Sequence, residues 1–408
     1  MRYVTHRTLV WLPLGAGLAA LLLCMAVAGR SYLRPVPPAF AVQSFSTTSS
    51  WGGSPARLPW PSQGEAAISV QGLGLIGSTS RPSPKPIAGI AKVMTAMITL
   101  EARPLTGGQQ GPEITVTDAD QQAYRSAAAN GESAVPVETG EGLTEYQALQ
   151  ALLIGAGNNI APFLARWISG SEARFVQLMN LRARQLSLQQ TTFADSGGIS
   201  PQTVSVPADL VRLGEAAMAN PVLAEIVGQK EATLPLMGPV SNFDTAIGQS
   251  GIVGIKSGNL PSGASFLFAG SEQVAGGQMV MVYGAVLGLP GPSDTFSAAR
   301  ALLDSVRANL RTVTIVSRGQ VVGSYQTEWG GSAPIVATQP LTVVVWPGTT
   351  VTAQLDVRSL TPPVRARTPV GTFRVNVNVN GHGQEVPAVV ARALDPPSTR
   401  WRFQRGPI

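Results

Sequence analysis

Between Pro86 and Glu101 the chain reads PIAGIAKVMTAMITLE, with Lys92 as its only charge before the final glutamate. Apolar residues at Ile90, Val93, Met94, Met97 and Ile98 follow the i, i+3, i+4, i+7, i+8 spacing of a helix face. Lys92 projects from the other side with Thr95, Ala96 and Thr99. A face of alanine and threonine predicts a sheltered setting for this lysine rather than a solvated one.

The same periodicity predicts helices elsewhere. LTEYQALQALLIGAGNNIAPFLARW (143–167) reads as two helices separated by a Gly-Asn break, and 171–187 as an amphipathic helix with Ser171 at its N-cap. Two more fall at 206–220 and 295–310. Strand patterns occupy AAISVQGLGLIGS (66–78), 251–271 and 278–288. Helices with an antiparallel sheet at the end predict an α+β domain over residues 64–311. After Arg311 the alternation changes to period two, with a turn signal at Asn380-Gly381, which predicts a small all-β sandwich domain over 312–396. No repeat of fixed period is found.

Leu9 to Gly29 is uncharged over 21 positions, flanked by Arg2 and Arg7 before and Arg30 and Arg34 after. As a helix it spans about 31 Å, enough to cross a bilayer core. Residues 1–34 are thus either an uncleaved anchor with its short N-terminus inside, which the length favours, or a signal peptide cut after Ala28 in the small-x-small run Ala26-Val27-Ala28. Both readings export the rest of the chain. Residues 35–63, rich in Pro, Ser and Thr, read as an extended tether, and 397–408 as a basic tail. In that tail RWRFQR pairs arginine with aromatics, a composition that suits either solvent or a lipid surface.

Charge and composition narrow the function. The net charge of +6 comes from the two ends, because residues 35–311 hold 16 basic and 19 acidic side chains. There is no basic run with interleaved aromatics, so no nucleic-acid partner is expected. Cys24, the only cysteine, lies in the apolar segment, and the only histidines are His6 and His382. A Ser-His-Asp triad, a Cys-His dyad and a histidine-ligated zinc site are therefore not expected within 60–311, and neither a metal nor another cofactor is implied.

Residues 60–395 resemble the low-molecular-weight penicillin-binding proteins, the D-alanyl-D-alanine carboxypeptidase family, whose signatures are S-x-x-K, S-x-N and K-T-G. PIAGIAKVMTAMITLE is similar to the first segment, LLIGAGNNIAPFLA to the second and GIVGIKSGNL to the third; LRARQLSLQQTTFADSGGI (181–199) and VGTFRVNVNVNGHGQEVPAVVA are similar to flanking parts of that family. The resemblance implies a transpeptidase-like fold followed by a β domain. It places the nucleophile on Gly89, the activating base on Lys92, the second-motif serine on Ala156 and its asparagine on Asn158, with Asn159 where an aspartate often follows. The third motif becomes Lys256-Ser257-Gly258, which keeps the cation, the hydroxyl and the glycine. Both motif serines are missing, while both lysines remain.

The family's reaction is acyl transfer through a hydroxyl, and glycine has none. No other hydroxyl takes the place: Pro82, Gly89, Val227 and Val253 stand three positions before the chain's four lysines. The resemblance therefore implies an envelope pseudoenzyme that binds peptidoglycan stem peptide or a wall-synthesis partner. In this reading the peptide adds as a strand beside Lys256-Ser257-Gly258, its carboxylate near Lys256. The alternatives are an active carboxypeptidase with a non-standard nucleophile, and a purely structural interaction module.

Overall fold

Ala91 to Leu100 are ten consecutive buried residues, Lys92 among them, in the computed structural model, which describes residues 8–45, 48–51, 56–274, 277–377 and 383–405. A helix apolar all round belongs in a core. Ala91–Ala102 does so, in contact with the helices Glu145–Leu153, Ile160–Ser169, Glu172–Gln185 and Pro207–Met218. Its sheltered second face is realised, with Thr95, Ala96 and Thr99 each 0% exposed. Local signals set the neighbouring boundaries. Thr144 and Gln147 form a capping box, Ser171 accepts from the Arg174 amide, and Gly170 closes the preceding helix with φ of 80°. Glycine and asparagine interrupt the pattern between Leu153 and Ile160, where the predicted break occurs.

The chain divides into two units: Trp51–Thr312 with Val344–Thr349, and Met1–Ser50 with Val313–Val343 and Thr350–Ile408. The first holds the helices from Ala91–Ala102 to Pro292–Asn309 and a five-stranded antiparallel sheet in the order Ile252–Leu260, Gly263–Gln273, Met279–Leu289, Glu65–Val70, Gly74–Ser78. Its second strand, Gly263–Gln273, reads SFLFAG over 265–270 because both faces are covered. Phe266 meets Phe296 edge-on at 4.9 Å between centroids, and Gly270 lies under Leu303, both from the helix Pro292–Asn309. Leu267, on the opposite face, lies against Gly214 of Pro207–Met218. Strand side chains alternate, so a strand between two helical layers is apolar at every position. Ile252–Leu260, which carries the third motif, is an edge strand of this sheet. The helix Asp118–Ala129, with a Thr117/Asp120 capping box, has no counterpart in the sequence reading. Its mean hydropathy is low, and it keeps only Asp120 and Ala127 buried.

The second unit carries a seven-stranded sheet that includes Val321–Gln326, Ser332–Ala337, Gln384–Val390, Pro369–Val377 and Thr349–Val357. Residues 40–43 differ from the expected tether. They pair antiparallel with Val321–Gln326, Phe40 opposite Gln326, as an edge strand of this sheet. The Asn380-Gly381 turn signal lies outside the described residues. The apolar N-terminal segment is a helix, Thr8–Leu33, and its window Ala16–Leu33 is long and apolar enough to cross a membrane. The part of the basic tail that the structure describes ends at Arg405. It forms a short helix, Thr399–Gln404, against the end of Thr8–Leu33. Arg405 donates to the carbonyls of Ser31 at 3.3 Å, Arg34 at 2.7 Å and Pro35 at 3.0 Å, and Phe403 stacks on Tyr32 at 5.5 Å. A cation at the carbonyl end of a helix satisfies groups that have no intrahelical partner.

Candidate active-site cleft

Lys92 lies in the first turn of Ala91–Ala102, 2% exposed, directly after the 3-10 turn Ala88–Ile90. Its Nζ donates to Asn158 Oδ1 at 2.7 Å and to the Gly197 carbonyl at 2.9 Å. Asn158 Nδ2 in turn donates to Glu132 Oε2 at 2.9 Å. Burial, and secondarily the charge of Lys256, lowers the Lys92 pKa from its ordinary 10.5 to about 7, against the opposing pull of Asp195 and Glu132. Near neutrality the amine is therefore about half unprotonated.

The three sequence motifs meet here. Gly89, Lys92, Ala156, Asn158, Lys256, Ser257 and Gly258 all line one cleft of about 670 Å³. Lys256 is 2% exposed and has no hydrogen-bond or ion-pair partner among the described residues. The Ser257 amide is held by the carboxylate of Asp244, at 3.0 and 3.2 Å from its two oxygens. Asp244 is itself 2% exposed, and its amide donates to Asn242 Oδ1. Ala156 sits in the left-handed region with φ of 51°, as does Ala88 at 50°, directly before Gly89. Non-glycine residues rarely hold that conformation outside functional or strained sites.

Asn159 uses both ends of its amide. Oδ1 accepts from the Val135 amide and Nδ2 donates to the Val135 carbonyl, each at 2.9 Å. An aspartate has no hydrogen for the second bond. This pairing fixes the 132–137 segment, and with it Glu132, beside the second motif.

The glycines of the cleft divide into two kinds. A Cβ at Gly198 (φ +78°) would lie 1.7 Å from the Ala88 carbonyl oxygen. One at Gly258 would lie 2.6 Å from Ala88 Cβ and 2.9 Å from the Gly89 nitrogen. These positions need glycine so that the loop and the edge strand can approach the turn at 87–89. Gly89 is different. A Cβ there would meet the Ser257 carbonyl oxygen at 3.2 Å, Lys92 Nζ at 3.6 Å and Lys256 Cε at 3.9 Å, a tight but accessible position. The backbone does not demand glycine at residue 89.

Glu132, Asp195, the Gly197 carbonyl and Asp244 were not among the residues expected from the sequence. Glu132 stands in an unpatterned segment, and a backbone carbonyl leaves no sequence signal. Asp244 has only the local Asn242-Phe243-Asp244 turn chemistry to mark it.

An antiparallel sheet with a helical cluster, and a buried lysine between three motif segments, define the penicillin-binding class of acyl-transfer folds. The comparisons with known proteins agree. The family described as D-alanyl-D-alanine carboxypeptidase matches residues 75–270. The D-alanyl-D-alanine carboxypeptidase DacB2 of Mycobacterium tuberculosis is 30% identical over 210 residues, 49% of this chain and 67% of that protein. A D-alanyl-D-alanine endopeptidase of Haemophilus influenzae is 30% identical over 141 residues, 35% of this chain and 45% of that protein. DacF of Bacillus subtilis is 24% identical over 269 residues, 64% of this chain and 66% of that protein. Among solved structures, penicillin-binding protein 5 of Haemophilus influenzae superposes with a TM-score of 0.58 at 15% identity, covering 84% of this chain and 100% of that one. The Streptomyces K15 DD-transpeptidase gives 0.54 at 24%, covering 62% and 100%. The chain belongs to the D-alanyl-D-alanine carboxypeptidase family. It spans about half to two thirds of the length of the curated relatives it matches first, 45%, 61% and 66%.

Proposed function

We propose that this protein is a non-acylating member of its family, held at the extracytoplasmic side of the membrane, whose cleft binds the carboxylate end of a peptidoglycan stem peptide. One observation carries the reading. Residue 89 presents no oxygen, although its Cβ position would be 3.6 Å from the Lys92 amine. Acyl transfer needs a nucleophile beside its base, and removal of the nucleophile from a serine hydrolase leaves only ~10³–10⁴-fold of acceleration over water. Binding needs less. Lys256 offers a buried side chain with no hydrogen-bond or ion-pair partner among the described residues, Ser257 a hydroxyl, and the edge strand Ile252–Leu260 lines the cleft over 256–260. Desolvation strengthens a lysine's charge for a peptide carboxylate. The apolar N-terminal helix fits a signal or membrane anchor and supports the placement.

The test is covalent labelling of the full chain, in detergent, with a fluorescent penicillin. No labelling is expected, together with saturable binding of a D-Ala-D-Ala peptide. A penicillin adduct on the polypeptide would overturn the proposal.

A second reading is favoured by the Lys92 pKa of about 7, which suits a base for water attack on the peptide. It predicts release of D-alanine without any penicillin adduct. The non-acylating binder releases none above the rate without protein.

A further inference from the structure

Residue 92 has a chemistry of its own that does not need a serine. Its Nζ is bonded to Cε and donates to two acceptors, Asn158 Oδ1 at 2.7 Å and the Gly197 carbonyl at 2.9 Å. A neutral amine has two hydrogens, so these donations use both and leave the fourth tetrahedral direction, the lone pair, for the cleft. The point 3.6 Å away, where a side chain at residue 89 would begin, belongs to that cleft. Lys256 Cε is 3.9 Å from the same point. The Lys92 amine and the Lys256 side chain thus both lie within 4 Å of one point in the cleft.

We propose that Lys92 is a nucleophilic amine that forms a Schiff base with small carbonyl compounds bearing an adjacent carboxylate, with Lys256 as the carboxylate's partner. This goes beyond the binding role above and does not depend on it. An amine desolvated beside a second cation is the arrangement that lets lysine act as a nucleophile near neutral pH. The depressed pKa of Lys92 agrees with the geometry. The charged groups that act on it come from every side of the cleft: Lys256 from the edge strand, Asp195 from the 193–199 loop and Glu132 from the segment before the second motif. The lone pair forms a bond to the carbonyl carbon, and a proton from nitrogen passes to the carbonyl oxygen. The carbinolamine then loses water to leave the C=N bond. The balance is one amine and one carbonyl giving one imine and one water, with no oxidant or reductant.

Lys92 is only 2% exposed, so the probe must be small. The full chain in detergent is incubated at pH 7 with glyoxylate and sodium cyanoborohydride, whose hydride reduces the imine to a stable secondary amine, and the modified lysine is found by peptide mass spectrometry. The chain has four lysines, so the internal comparison is with Lys85, Lys230 and Lys256. The carboxymethyl adduct is expected on Lys92 at least about tenfold above Lys85 and Lys230, with a labelling rate half-maximal near pH 7. Gly89→Ser and Gly89→Ala, each checked for an unchanged thermal unfolding curve, fill the space and are expected to lower Lys92 labelling about tenfold or more; if one fails to fold, the other decides. Propionaldehyde, which has no carboxylate, is expected to label Lys92 about tenfold less than glyoxylate. Labelling of Lys92 no greater than that of Lys85 and Lys230, or undiminished in the folded Gly89 variants, overturns the proposal. Equal labelling by the two aldehydes overturns the role given to Lys256.

Discussion

Lys92 Nζ donates to Asn158 Oδ1 at 2.7 Å, joining the first motif to the second across 66 residues of sequence. The chain carries glycine at residue 89 and alanine at residue 156, where the resemblance places the two motif serines. The Lys92–Asn158 bond ties the parts of the cleft together, because Asn158 also holds Glu132 and Lys92 also holds the 196–199 loop through the Gly197 carbonyl.

The two kinds of cleft glycine predict opposite responses to one methyl group. Gly89→Ala meets the Ser257 carbonyl oxygen at 3.2 Å and is expected to cost about 1 kcal/mol or less. Gly258→Ala puts a methyl 2.6 Å from Ala88 Cβ and is expected to cost about 2–3 kcal/mol. Denaturant unfolding of the two variants checks this, and equal costs would contradict the geometry.

Restoring the oxygen is a sharper test. Gly89→Ser places a hydroxyl beside an amine already near half-deprotonated at neutral pH. The variant is expected to gain a penicillin adduct absent from the parent. If it stays unlabelled, Ala156→Ser is added. Failure of both would show that the cleft has lost more than two oxygens.

Two buried groups bend the pH dependence of stability in opposite senses. Lys92 has a folded pKa of about 7, below its ordinary 10.5. The unfolded chain binds the extra proton between those values, so this group makes stability rise from pH 7 towards 10, by on the order of 4 kcal/mol. Lys92→Met is expected to flatten that limb. Measurement stops short of pH 10, where Tyr146, Tyr283 and Tyr325, all raised by burial, begin to charge in the unfolded chain.

Glu145 supplies the other limb. It is 0% exposed in the first turn of Glu145–Leu153, and neither carboxylate oxygen has a hydrogen-bond partner among the described residues. Burial raises its pKa from 4.5 to about 7, opposed only in part by Arg103. The folded state keeps the proton that the unfolded state releases, so stability falls as pH rises from 4.5 to 7. Glu145→Gln is expected to remove this fall. A stability minimum near pH 7 that persists in both variants would refute the assignment.

Asn159→Asp breaks the bond to the Val135 carbonyl and buries a charge in a site 4% exposed. A loss of about 2 kcal/mol is expected, with weaker peptide binding as Glu132 is released. Lys256→Met tests the carboxylate site directly. Binding of a D-Ala-D-Ala peptide is expected to weaken about 10- to 100-fold, the worth of one charge-assisted hydrogen bond. Calorimetry on the full chain reads both.

The sequence by itself determined the helix that carries Lys92, the order of the three motif segments, the apolar N-terminal helix and the absence of an oxygen at residue 89. These are matters of periodicity and residue identity, which a chain displays whether folded or not. Tertiary structure alone decided that Glu132 and the Gly197 carbonyl complete the surroundings of Lys92, and that Asp244 holds the Ser257 amide. It also decided that residues 40–43 join a sheet with a strand almost 300 residues away, and that Arg405 caps the helix ending at Leu33. Backbone carbonyls look alike in every sequence, and a long-range contact exists only once the chain has closed on itself. Glycine shows the limit most plainly. At 89, 198 and 258 the letter is the same, and only the distance from each missing Cβ to its neighbours separates a residue the fold requires from one it merely permits.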